Sequence, residues 1–302
     1  MSDALMNTTS LATPLSRKAT LVAVVIRQWT ARKLDRRVTD ETNERYHATD
    51  DAGRYNKLLI GAEHLNEITK LVSKARSLHY AMTQPWADEG PRILPNALFA
   101  KFSDEFRELK RDFNDAADRF AAVYPSLIEE RKRSLNGMFN EADYPSPSVI
   151  RSKFELDTKV APLTDATDFR AELDDDTVAE IKAQLEATTN SVLDGALKDT
   201  AERITKVVGH MSERIAALSE YKDGNGKKTK FYDSVVENVR ELADLLPAFN
   251  LTSDPKLDAL IKRIQSELCV EDAEGLKENP KAREAVKQSA DEIVAAVAGI
   301  FG

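Results

Sequence analysis

Around a proline-rich break, His79, Tyr80, Trp86, Asp88 and Arg92 bring together a titratable ring, a phenol, an indole and two opposite charges. Loops on a rigid scaffold are where such groups serve binding or proton transfer. The same residues also have a structural reading, in which Trp86 and Tyr80 pin the loop to a helical core while Arg92 pairs with Asp88 or Glu89. The sequence favours that reading, because no nucleophile is paired with a base nearby.

A second set is electrostatic. Residues 17–80 hold thirteen Lys/Arg against eight Asp/Glu, although the whole chain carries a net charge of −8. Within that basic end Arg27, Arg32, Lys33, Arg36, Arg37, Arg45, Arg54 and Lys57 are the densest cluster, able to meet phosphates or an acidic protein. Asp35, Asp40, Glu41 and Glu44 interleave with them at helical spacing, so a solvated, salt-bridged helix face is the competing interpretation.

Other chemistry lacks its spacing. His47, His64, His79 and His210 are scattered, with no HExxH and no Cys/His pattern for zinc. His64 and His79 would stand roughly 20 Å apart along one helix. The DGNG at Asp223 lacks the alternating oxygens of a calcium loop and reads as a hairpin turn. No Walker or Rossmann glycine pattern occurs. Cys269 is the single cysteine, which excludes an internal disulfide framework and reads as a small core residue. These patterns predict no catalytic residue, no metal and no cofactor.

The elements that carry these residues are mostly helices. The apolar run LVAVVI is too short to span a bilayer, and the chain is expected in a bacterial host cytoplasm, with residues 1–17 a flexible tail. ATLVAVVIRQW predicts a strand, and TARKLDRRVTDETNERYH a helix directly after it. A helix over 61–83 aligns Leu65, Ile68, Val72, Ala75, His79 and Met82 as one seam. The break TQPWADEGPRILP predicts a structured loop. A helix over 96–124 carries Phe102, Phe106, Leu109, Phe113, Ala116, Phe120 and Val123, and Pro125 restarts a shorter one. FELDTKVAPLTDATDFRAEL predicts one or two strands, paired with the early strand in a small sheet.

Thr177 and Glu180 have capping-box spacing before a helix running to about Tyr221. Leu197, Ala201, Ile204, Val208, Met211, Ile215 and Leu218 lie along it in heptad order. A turn then reverses the chain into a helix with Val235, Val239, Leu242 and Leu246 as matching seam, an αα-hairpin. Two further helices follow Asp254-Pro255 and Asn279-Pro280. The predicted fold is mainly α, with long antiparallel helices and a two- or three-stranded sheet in an N-terminal domain of residues 18–173. Residues 174–302 form the hairpin and C-terminal helices.

The succession WTARKLDRRVTDE, GRYNKLLI, LHYAMTQPWADEGPRILP, FNEADYPS and FELDTKVAPLTDATDFR resembles an uncharacterised helical family of bacteriophages and integrative mobile elements, over residues 21–173. The resemblance implies neighbours: a MoxR-type AAA+ ATPase and a protein with a von Willebrand type A domain. It supplies no catalytic residues. The expected function is a non-enzymatic adaptor or scaffold acting through protein contacts, with an AAA+ ATPase as one partner. Two alternatives stand beside it, a nucleic-acid-binding accessory factor in phage replication or recombination, and a self-assembling homo-oligomer.

Overall fold

The computed structural model describes residues 15–87, 90–163, 174–222 and 230–301. In chain order the elements are α1 (Leu15–Lys18), β1 (Ala19–Arg27), β2 (Arg32–Leu34), α2 (Arg36–Arg45), β3 (Asn56–Leu58), α3 (Asn66–Met82), β4 (Gln84–Pro85), β5 (Arg92–Pro95) and α4 (Phe99–Leu135). They continue with α5 (Pro147–Ile150), β6 (Glu155–Pro162), α6 (Asp175–Lys222), α7 (Ser234–Phe249), α8 (Pro255–Arg263), α9 (Ala273–Glu278) and α10 (Pro280–Phe301). The fold is mainly helical with a minor antiparallel sheet component, as the sequence predicts. The sheets are larger than expected: four strands in the order β4-β5-β1-β6, and a separate ribbon of β2 and β3. Of the expected tail over residues 1–17, residues 1–14 lie outside the described residues, as do the expected strand residues 164–173 and the DGNG turn, while residues 15–17 belong to α1 with Leu15 buried.

The chain groups into two compact units, one from Met1–Ala23, Met82–Ala100 and Val160–Gly302, the other from Val24–Ala81 and Lys101–Lys159. The sequence reading instead draws one linear boundary at 173/174. Distant segments share a unit because sheet pairing brings the hairpin β4–β5 to β1, with Ala19 opposite Pro95 and Val22 opposite Arg92. That hairpin is the break read from sequence as a loop. Its prolines sit at strand ends, where a missing donor is tolerated, and Gly90 takes φ 105° in its turn.

In the first unit α6 packs against α10 and α7. Ala201, Ile204, Val208, Met211, Ile215 and Leu218 are buried as the heptad pattern predicts, and so are Val235, Val239, Leu242 and Leu246 of α7. Leu197 is only half-buried. The helix is capped by Asp174, whose carboxylate accepts from the Thr177 N–H at 2.9 Å and its hydroxyl at 2.6 Å. Thr177 therefore lies inside the first turn and is not the cap predicted for it. Asp254 and Asn279 do cap the following helices, each before a proline at the first helical position.

Leu65, Ile68, Val72, Ala75, His79 and Met82 are all buried, the first just before α3 and the last at the start of a first-unit segment, with the other five in the second unit. Helix α4 runs unbroken through Pro125, contrary to the predicted restart. Pro125 is exposed, so the one intrahelical bond it removes lies where water can replace it. The buried stripe moves from the predicted Val123, which is 49% exposed, to Tyr124 and Leu127. A straight helix drifts about 20° per heptad from a strict 3.5 repeat, enough to pass the seam to the next residue.

Candidate partner-binding surface

The basic cluster is split by the backbone. The predicted helix over TARKLDRRVTDETNERYH begins only at Arg36. Ala31, buried, takes φ 51°, which ends β1's direction and opens β2. Asp35 then caps α2, its carboxylate accepting from the Val38 N–H at 3.2 Å. Arg32 and Lys33 consequently lie on a strand opposite Leu58 and Lys57, while Arg36 and Arg37 open a helix.

Lys57, 4% exposed, is the interior anchor of this region. Its ammonium reaches Asp143 at 2.7 Å, Asp35 at 3.2 Å and the Met138 carbonyl at 2.9 Å. All three of its donors are used. Burial pulls the ammonium pKa down, but the bonds to Asp143 and Asp35 outweigh it and leave it above its ordinary value. The Val38 N–H and then Lys57 hold the Asp35 carboxyl below its own, against a smaller upward push from burial. The loop after α4 is tied to α2 and to the end of β3 by further bonds, Arg37 donating to the Gly137 carbonyl at 3.2 Å and the Tyr144 hydroxyl to the Leu59 carbonyl at 3.0 Å. The Lys132 ammonium stands 5.9 Å from the Phe139 ring centre.

Lys57 thus turns inward the one acid, Asp35, that interleaves with the cations of RKLDRR. Of the eight cluster residues, Arg27 pairs with Glu155 at 3.0 Å, and Arg37 with Glu41 at 3.9 Å. Arg32, Lys33, Arg36, Arg45 and Arg54 are exposed and form no ion pair or side-chain hydrogen bond among the described residues. The helical salt-bridge interpretation therefore applies to Arg37 alone. Tyr46 and Tyr55 are also exposed, at 72% and 41%.

The proline-rich set divides between the units. His79 and Tyr80 belong to the second, His79 buried with its ring 6.4 Å from Phe102 and 5.8 Å from Tyr80, which is itself 57% exposed. Trp86 and Arg92 belong to the first. Trp86 packs on the cluster of Leu15, Ala19, Ile93, Leu163, Leu193 and Leu251. Arg92 donates to the Thr83 hydroxyl at 2.8 Å and to the Thr83 carbonyl at 3.3 Å. Asp88 and Glu89 lie outside the described residues. Sequence reasoning missed Gln84 beside them, fully buried, whose amide donates to Thr200 Oγ1, the Ala196 carbonyl and the Phe249 carbonyl.

Of the remaining histidines, His47 has φ 52° and ends α2 in a Schellman motif. Its N–H bonds the Glu44 carbonyl at 3.1 Å and the Ala48 N–H bonds the Asn43 carbonyl at 2.9 Å. His64 lies 3.6 Å from Glu63, and His210 is exposed. Cys269 is half-buried, its thiol pKa raised by burial, with Arg240 lowering it and Asp244 raising it. An open groove of about 290 Å³ between α3 and α4 is lined by Glu67, Lys70, Lys74, Asp112, Asp115 and Arg119 around Leu71. Of these charges Arg119 pairs with Glu67 at 2.6 Å. Among the described residues no group of three His, Cys, Asp or Glu is placed to hold a metal, and no helix is long and apolar enough to cross a membrane.

A different kind of surface lies on α6. None of residues 175–192 is fully buried, and Val178, Ile181, Leu185 and Val192 follow one another at three, four and seven residues on one face, all four half-buried, with Val192 packed against the cluster of Leu15 and Leu193. That stretch extends ~27 Å at 1.5 Å per residue. Comparison with protein-family models, with characterised proteins and with solved structures returns no match for the chain.

Proposed function

We propose that the protein is a non-enzymatic adaptor of a phage or mobile element that works by holding protein partners. The first half of α6 carries this reading. An apolar stripe at helical spacing, Val178, Ile181 and Leu185, that stays partly exposed on a segment with no fully buried side chain offers a helix-in-groove contact. The rest of the same helix, from Leu193 to Leu218, spends its stripe on the core. An AAA+ remodelling ATPase is the partner that the family resemblance implies, and the acting compartment is a bacterial cytoplasm.

Affinity purification of the full chain from phage-infected cells tests it, beside a variant with Ile181→Asp and Leu185→Asp. The expected result is a stoichiometric protein partner that the variant loses. Recovery of none from either, together with a monomer in light scattering and no interaction with a co-expressed ATPase, would refute the reading. A larger homo-oligomer that the variant disperses would point to self-assembly through this stripe.

A further inference from the structure

We infer that the outer edge of β2 is a strand-addition site for an extended acidic segment of a protein partner, an inference that rests on the adaptor reading and gives the chemistry of one partner. The hydrogen-bonding phase of the ribbon is fixed at both ends. The Asp35 N–H bonds the Tyr55 carbonyl at 2.9 Å, and the Leu59 N–H bonds the Ala31 carbonyl at 2.7 Å. In an antiparallel ladder bonded pairs alternate with unbonded ones. The bonded pairs are therefore 31 with 59, 33 with 57 and 35 with 55. At Arg32 and Leu34 the N–H and C=O groups point away from β3.

Those backbone groups have no partner among the described residues, and all three residues of β2 are exposed. The opposite edge of the ribbon differs. There the Arg131 guanidinium donates to the Leu58 carbonyl at 2.7 Å. One edge is capped and the other is open, and an open edge pairs with an incoming strand.

Side chains decide which strand. Alternation puts Arg32, Leu34, Asn56 and Leu58 on the face away from Lys57. Leu34 and Leu58, 37% and 40% exposed, form its apolar part. Arg32 shares that face, Lys33 lies on the other one and Arg36 opens α2, with no exposed acid between them, because Asp35 is held by Lys57. The complement is a peptide that alternates Asp or Glu with apolar residues. A second copy of β2 would set Arg32 and Lys33 against their own kind, which opposes edge-to-edge pairing. Nucleic acid would satisfy the cations, but it would leave the two leucines and the backbone edge without complement.

The experiment pans a random dodecapeptide phage library on the immobilised full chain and measures an enriched peptide by fluorescence polarisation. Single-stranded and duplex oligonucleotides at low salt form the second arm. Enriched sequences are expected to alternate acidic and apolar residues and to lose at least tenfold in affinity when the peptide backbone is N-methylated at alternate positions. The same loss is expected for Leu34→Pro, which removes an outward N–H and leaves the β2–β3 ladder intact. The pair Arg32→Glu and Lys33→Glu provides the same readout if the proline variant does not fold. No enrichment, enrichment indifferent to N-methylation, or oligonucleotide binding without peptide binding would each overturn the inference. If purification still yields a partner dependent on Ile181 and Leu185, the adaptor reading survives that failure.

Discussion

Replacing Lys57 tests whether an interior ion cluster, and not apolar packing, holds the ribbon to the loop after α4. The ammonium is 4% exposed, and its two carboxylate partners are 12% and 13% exposed. Removing one partner of a buried ion group leaves charges with neither water nor counter-ion, which costs about 3–5 kcal/mol. Lys57→Met keeps the volume and should show that loss in urea unfolding followed by Trp29 fluorescence in a Trp86→Phe background. Trp29 reports this unit directly, since its ring lies 5.6 Å from Tyr124 and 6.2 Å from Phe120. Adding Asp35→Asn and Asp143→Asn removes the stranded charges, so the triple variant should recover more than half of the loss, because the asparagine introduced by Asp35→Asn can still cap α2.

The pH dependence of the same difference has a definite sign. Asp35 is held below its ordinary 3.8, so its contribution is present above that value and fades as pH falls through the lower folded one. Lys57 is raised above 10.5, so its contribution is complete below that value and is lost as pH rises through the folded one. The gap between wild type and Lys57→Met should therefore be flat through neutrality and narrow at both extremes. A cost below about 1 kcal/mol, or a triple variant no more stable than the single one, would refute the reasoning.

Tyr124, fully buried and donating to the Pro145 carbonyl at 3.0 Å, is pushed up to about 12 by burial and then by Tyr144. Wild type should lose about 2 kcal/mol relative to Tyr124→Phe as pH rises from 10 to 12, because the unfolded chain ionises ahead of the folded one in that window; alkaline urea titrations measure it. His47→Gly should stabilise the chain by about 0.5–1 kcal/mol in thermal melting, since glycine takes the left-handed position of the motif without its Cβ penalty. Ile181→Ser with Leu185→Ser should leave stability within about 0.5 kcal/mol per site, whereas Ile204→Ala on the same helix should cost about 2–5 kcal/mol. Gln84→Leu should cost less than about 1 kcal/mol in urea unfolding, because the Phe249 carbonyl keeps the Leu251 N–H at 2.9 Å and the Thr200 hydroxyl keeps the Ala196 carbonyl at 2.9 Å; a loss above about 2 kcal/mol would refute this.

The proline-rich break was legible as a boundary but not as a sheet hairpin. Its prolines argue against a strand when read locally, and only β1 supplies the partner that makes edge positions of them. The basic cluster was legible as a charge density and misread as a helix, because RKLDRR has helix-forming composition. The left-handed Ala31 is a backbone choice with no residue signature. Arg131, which caps one ribbon edge, lies 73 positions from the carbonyl it bonds, and no local pattern connects the two.

Periodic burial was determined by sequence. The seams of α3, α6 and α7 lie where the three-four spacing puts them, because a helix repeats every 3.6 residues wherever it sits. Asp254 and Asn279 likewise act through atoms two or three residues away, which a local reading captures. Tertiary structure alone decided which cations stay free, which strand edge stays open and which half of α6 keeps its apolar stripe partly exposed. Those depend on contacts between distant segments, such as Lys57 with Asp35 and Asp143. Pairing at long separation is set by how the whole chain closes on itself, and not by what stands next to each residue.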